Sequence, residues 1–214
     1  MRTVWLIRHA QSESNFGLPS FIPAAPPLTP LGIEQARYVA GAFSERPNLI
    51  VTSPYVRTQQ TAQPTLERFP DVPQEEWPVQ EFTYLALPTA SPMTKHERRP
   101  YVEAYWDRSD PRYHDGEDTE SFADFIGRAE TMLANVCQRE EEFIAIFTHG
   151  YFMRALLWLM LTPPQSISAK SMERFHSFAI GVKIPNASIV RLYLAETILL
   201  SQISTEHLPP DPHL

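Results

Sequence analysis

Five consecutive residues, Phe143-Ile144-Ala145-Ile146-Phe147, carry no polar side chain, and the run stops abruptly at Thr148-His149-Gly150. So short and apolar a stretch fits a strand buried on both faces, as in a parallel sheet covered by helices. Thr3 to Ile7 repeats the pattern and stops at Arg8-His9, and Leu49 to Thr52 repeats it before Ser53-Pro54. Helical patterns follow each run. Thr29 as cap and Pro30 at the first helical position open a helix in which Ile33, Ala36, Ala40 and Phe43 share a face. Ser53-Pro54 launches a second helix to about Phe69, and Tyr151 to Leu161 reads as a buried helix stopped by Pro163-Pro164. Alternating strand and helix in this way implies α/β architecture around a parallel sheet.

The remaining elements are read the same way. Val79 to Phe82 is a candidate third strand. Phe122, Phe125, Ile126, Ala129, Leu133 and Val136 mark a helix from Phe122 to about Arg139, capped by Thr119 or Ser121. Phe178 to Ile184, Ser188 to Ala195 and Ile198 to Gln202 read as late strands, the last two as an edge hairpin that can pair across a homodimer. Residues 83–118 show no clear period, mix aromatic with basic side chains, and read as a partly helical cap within a single domain spanning 1–214.

Composition narrows the function. A net charge of -7 argues against a nucleic-acid binder, whose affinity comes from clustered cations, so any anion site here is local. No run reaches the roughly 20 apolar residues of a membrane helix. The single Cys137 forms no internal disulfide, reads as a small buried apolar residue, and fits a cytoplasmic location.

Arg8-His9, Ser53 to Arg57 and His149-Gly150 each lie just past the carboxyl end of a predicted strand, the edge where open α/β sheets bind ligands. If those strands are neighbours, two imidazoles and two guanidiniums converge. Helix N-termini after the second and fourth strands, the latter at Gly150 and Tyr151, add oriented N–H donors. Such a pocket suits a phosphate dianion, because a guanidinium fork gives two parallel charge-assisted hydrogen bonds.

The segment Leu6-Ile7-Arg8-His9-Ala10-Gln11-Ser12-Glu13-Ser14-Asn15 resembles the Arg-His-Gly signature of the histidine phosphatase superfamily, also called phosphoglycerate mutase-like. Leu28 to Ala36, Ser53 to Ala62, Glu120-Ser121-Phe122, Thr148-His149-Gly150 and Asn186-Ala187-Ser188-Ile189 are similar to its later landmarks, in the same order. The resemblance implies a three-layer α/β/α sandwich with a mostly parallel central sheet and a small cap insertion. It implies that His9 is phosphorylated, that Arg8, Arg57 and His149 grip the phosphoryl oxygens, and that Asn15 helps to close the pocket. A carboxylic acid after the third strand protonates the leaving group; Glu81 is the candidate, with Glu75 and Glu76 as fallbacks. No metal or cofactor is implied, and the substrate is a small phosphate ester. Two features depart from the pattern: Ala10 stands in place of Gly, and the glycine-containing stretch around the acid is replaced by Phe82 to Pro88. The added Arg-Pro of the acid phosphatase and phytase branch is absent, which points to the smaller branch.

Two other functions use the same residues. A phosphomutase would hold a second phosphorylated molecule, with Arg98 and Arg99 as candidate contacts, but Glu97, Glu103, Asp107 and Asp110 nearly cancel the cap's charge. A non-catalytic phosphate-binding protein needs neither nucleophile nor proton donor. Asn186-Ala187-Ser188 reads as a turn rather than a glycosylation acceptor, and His96, His114, His176, His207 and His213 are assigned no role.

Overall fold

The computed structural model describes residues 1–18, 25–86, 93, 94, 96–162 and 166–210. Its strands are β1 (Arg2–Arg8), β2 (Leu49–Thr52), β3 (Gln74–Glu76), β4 (Phe143–Thr148), β5 (Ile189–Leu194) and β6 (Ile198–Leu200). They form one sheet in the order β3-β2-β4-β1-β5-β6. The pairs β3–β2, β2–β4 and β4–β1 are parallel, while β5 and β6 are antiparallel and close one edge as the expected hairpin.

The helices are α1 (Glu13–Phe16), α2 (Pro30–Gly41), α3 (Val56–Arg68), α4 (Arg99–Arg108), α5 (Phe122–Gln138), α6 (Gly150–Leu161) and α7 (Ala169–Gly181). Strand alternation sorts the core into two layers. Trp5, Ile7, Ile50, Ala145 and Phe147 face Ala36 and Val39 of α2 and Ala62 of α3. Val4, Leu6, Val51, Ile144 and Ile146 face the buried sides of α5, α6 and α7, where Phe125, Phe152 and Phe175 meet. The result is the expected α/β/α sandwich. Among the described residues, no helix is long and apolar enough to cross a membrane.

Thr29 caps α2 as expected, its Oγ1 accepting from Gly32 N at 3.1 Å. The buried face of α2 is rotated from the expected one, with Val39 buried and Ile33 47% exposed. Gly32 fixes that rotation: a Cβ there would lie 2.0 Å from the Gln11 carbonyl oxygen, so only glycine lets α2 lie directly on the loop behind His9.

Three expectations are corrected. Val79 to Phe82 is not a strand; the sheet edge belongs to β3, and this segment crosses the end of the sheet, with Val79 O accepting from Thr148 Oγ1 at 2.6 Å and Phe82 stacked on Phe125 at 4.3 Å. Its buried side chains, Val79 and Phe82, are three apart, which is not the two-residue period of a strand. Phe178 to Gly181 is the end of α7, because Met172, Phe175 and Ala179 are buried at helical spacing from the cap at Ser168. Cys137 is exposed. Within 83–118, α4 is the helical part, and its Tyr105 and Trp106 are buried in the same core as α5 to α7. Pro163, Pro164 and His213 lie outside the described residues.

Candidate active site

The sheet order places β2, β4 and β1 side by side, and the pairings Arg8↔Thr148 and Thr52↔Phe147 bring their carboxyl ends level. The three polar clusters therefore meet. His9 and His149 are 2% and 0% exposed with ring centroids 5.1 Å apart, and Arg57, on the first turn of α3, reaches both.

Hydrogen-bond partners fix the tautomers, because a carbonyl can only accept and a guanidinium can only donate. His9 Nδ1 lies 2.8 Å from Ala10 O and must carry the proton. Its Nε2 is then a lone pair, which accepts from Arg57 Nε at 3.2 Å. His149 Nδ1 accepts from Arg57 Nη2 at 3.0 Å, so its Nε2–H donates to Ser53 Oγ at 2.7 Å. One guanidinium thus joins two bare imidazole nitrogens through neighbouring donors of its fork. That donor set does not suit a metal, since a guanidinium cation is already bonded to both lone pairs. Among the described residues, no group of three or more His, Cys, Asp or Glu side chains could hold a metal ion.

Arg8 Nη1 donates to Ile184 O at 2.5 Å, while its Nε is buried with no hydrogen-bond partner. Gly150 makes room for it: a Cβ there would approach Arg154 Nη1 to 3.0 Å and Arg8 Nε to 3.2 Å. Glu81 is half-buried and accepts from Tyr151 N at 2.8 Å, so the segment crossing the sheet end carries it to the first turn of α6. Tyr151's backbone donor is engaged by Glu81, leaving its side chain beside Tyr84 and Trp106. Glu75 is held by Arg139 and Trp77, and Glu76 is exposed and accepts from Gln59.

Asn15 caps the loop after His9. Its Oδ1 accepts from Ser12 N, Ser12 Oγ and Asn186 Nδ2 at 3.1, 2.9 and 2.9 Å, which leaves its amide NH2 as the group able to donate to an oxyanion. Ala10 is buried with negative φ, and its N–H donates to Thr61 Oγ1 at 3.0 Å, so glycine is not needed there. Thr61, Ser53 and Asn186 were assigned no individual roles from sequence. Small polar side chains in a turn or on a polar helix give no periodic signal, and their importance comes from what they bond. Of the cap histidines, His114 is tied to Thr119 O and Asp124, and His96 borders a separate surface cavity with Gly17 and Arg99.

Burial dominates the electrostatics. Desolvation, reinforced by Arg57 and Arg8, holds His9 well below the ordinary histidine value, and desolvation followed by Arg57 does the same to His149. Burial also pushes the Arg8 guanidinium down to about 10, against the pull of Glu81. Both histidines should therefore stay neutral at pH 6 in the free protein. Since the unfolded chain takes up protons below about pH 6.5 that the folded one refuses, stability falls as pH drops through that value. An assigned histidine NMR titration checks this; the His9 or His149 imidazole titrating near 6.5 would contradict it.

The histidine phosphatase superfamily (branch 1) model matches residues 4–196. No curated protein matches significantly. The fold is similar to a candidate α-ribazole-5′-phosphate phosphatase from Escherichia coli (20% identity, TM-score 0.74, covering 98% of this chain and 99% of that one). It is also similar to a phosphoserine phosphatase variant from Entamoeba histolytica in complex with phosphoserine (22%, 0.71, 98% and 100%). A third match is a mycobacterial glucosyl-3-phosphoglycerate phosphatase in complex with VO3 (22%, 0.67, 94% and 97%). With the family model spanning most of its length, the chain belongs to the histidine phosphatase superfamily, branch 1.

Proposed function

We propose that the protein is a phosphomonoesterase that hydrolyses a small phosphorylated substrate through a phosphohistidine on His9. The observation that carries this reading is the tautomer of His9: Nδ1–H is fixed on Ala10 O, and the bare Nε2 faces the guanidinium that also meets His149. A neutral imidazole held this way is a nucleophile with its lone pair aimed.

Phosphate displaces Arg57 from the imidazole lone pairs and takes its N–H donors, with Arg8 and Asn15 adding others. His9 Nε2 attacks phosphorus as the ester P–O bond breaks, and the leaving oxygen takes a proton from Glu81. Water then attacks the phosphohistidine, with Glu81 receiving its proton, to release inorganic phosphate and restore His9. Positioning and charge stabilisation supply most of the rate, as expected for phosphoryl transfer.

Hydrolysis is favoured over mutase chemistry because the cap cations are locally engaged: Arg99 pairs with Glu103 at 2.7 Å, and Arg98 Nη2 donates to Met93 O at 2.8 Å. The phosphatase names of the solved neighbours point the same way. Exposed Cys137 suits a reducing compartment and supports a cytoplasmic site of action. A panel of phosphomonoesters assayed for free phosphate, beside an assay of transfer between phosphoglycerates, tests the reading. Release of phosphate without transfer is expected; transfer without release would make the protein a mutase.

Glu81 has its own test. An alkyl ester expels a basic alkoxide and needs a proton, whereas an aryl ester with an acidic phenol leaves nearly unaided. Glu81→Gln should therefore slow the alkyl substrate by about 10²- to 10⁴-fold and the aryl one far less. Equal losses on both substrates would remove Glu81 from the role of acid.

A further inference from the structure

The turn that enters β5, Ile184 to Ser188, grips the segment carrying His9 at successive positions. Ser188 O accepts from Arg8 N at 3.0 Å, Ala187 N donates to His9 O at 3.2 Å, and Ile184 O accepts from Arg8 Nη1 at 2.5 Å. Asn186 Nδ2 lies 3.1 Å from His9 O, 3.3 Å from Ala10 O and 2.9 Å from Asn15 Oδ1. Ala10 O is the same carbonyl that accepts from His9 Nδ1. The turn is itself over-determined. Ala187 is fully buried at φ 59°, a left-handed conformation that favours glycine, and its carbonyl oxygen lies 2.9 Å from His207 Nε2. Asn186 therefore links the carbonyl that orients the imidazole to Asn15, across 171 residues of sequence.

We propose that Asn186 is a positioning residue for His9, its amide holding Ala10 O where that carbonyl fixes the imidazole in the Nδ1–H form with Nε2 free for attack. This rests on His9 being the nucleophile. Asn186 is the outer partner in a chain from amide to carbonyl to imidazole, and outer partners of this kind set the tautomer and direction of the ring they support. Its amide bonds go to His9 O, Ala10 O and Asn15 Oδ1, so it meets the phosphate-binding set through Asn15 and the nucleophile through Ala10 O.

The test is Asn186→Asp, which keeps the size of the side chain but presents only acceptors to Ala10 O, with Asn186→Ala beside it. Nitrogen NMR of His9 in the full-length free protein reads the tautomer without reference to turnover. In the native protein His9 should be the Nδ1–H form. In both variants His9 should stay Nδ1–H, because Arg57 still donates to Nε2. Its bond to Ala10 O should weaken, read as an upfield shift of the imidazole Nδ1 proton, with kcat reduced by about 10- to 100-fold and inhibition by inorganic phosphate, in which Asn15 shares, weakened far less. An unchanged Nδ1 proton shift, an unchanged kcat, or losses of kcat and phosphate affinity in equal measure would overturn the proposal. If Asn186→Asp does not fold, Asn186→Ala decides by the same readouts. Should His9 prove not to be the nucleophile, His9→Ala would stay active whatever the tautomer data show, so the two failures are distinguishable.

Discussion

His9→Ala is expected to lose turnover by on the order of 10⁴-fold or more, the scale of losing a nucleophile from a catalytic group that acts as a unit. His149 is not placed to take over: its Nε2 is committed to Ser53 Oγ and its Nδ1 to Arg57 Nη2. The fold should survive. His9 follows the last residue of β1, its side-chain bonds are to Ala10 O and Arg57, and the backbone around it stays held by Thr148 and Ala187. A folded His9→Ala protein that keeps more than a few per cent of native activity would remove His9 from the chemistry. Circular dichroism and a thermal melt alongside the rate measurement separate that outcome from misfolding.

Arg57→Ala should cost about 10²- to 10³-fold in rate, the typical loss for one donor aimed at developing charge. Its position supports the upper part of that range. Arg57 is 6% exposed, its guanidinium contacts both histidines, and it lies 4.8 Å from the Tyr55 ring. Inorganic phosphate should bind more weakly in the same variant. The two histidines should also become easier to protonate, because Arg57 is the largest charge lowering each of them after desolvation. Unchanged phosphate affinity would place Arg57 outside the phosphate-binding set.

The sheet was legible because its central strands are buried on both faces, and burial leaves a continuous apolar run that needs no partner to recognise. β1, β2 and β4 end within a residue or two of their expected limits. The convergence of Arg8, Arg57, His9 and His149 followed from placing three polar clusters at equivalent strand ends. The failures have a physical pattern. Val79 to Phe82 reads as a strand from sequence because two apolar residues around Gln80-Glu81 span too few positions to separate a strand from a crossing loop, and only the burial of Val79 and Phe82, three apart, tells them apart. Phe178 to Gly181 alone carries no helical period; Met172 and Phe175, which lie before it, set the period that makes it the end of α7. Ile33 was put on the buried face of α2 because hydrophobicity cannot reveal that Gly32 must lie against Gln11 O. Asn186 passed as an ordinary turn residue. Its partners, His9 O, Ala10 O and Asn15, become visible only when β5 pairs antiparallel with β1 and brings residues 186 and 10 together.

The central claim is a covalent bond between phosphorus and His9 Nε2. Rapid acid-free quenching of the native enzyme during turnover of a good phosphomonoester, followed by peptide mapping, measures it directly. The bond expected is acid-labile and base-stable, lies on the peptide containing His9, and is absent from His9→Ala. Turnover with no phosphorylated peptide, or phosphate found on His149 or on a serine, would contradict the account.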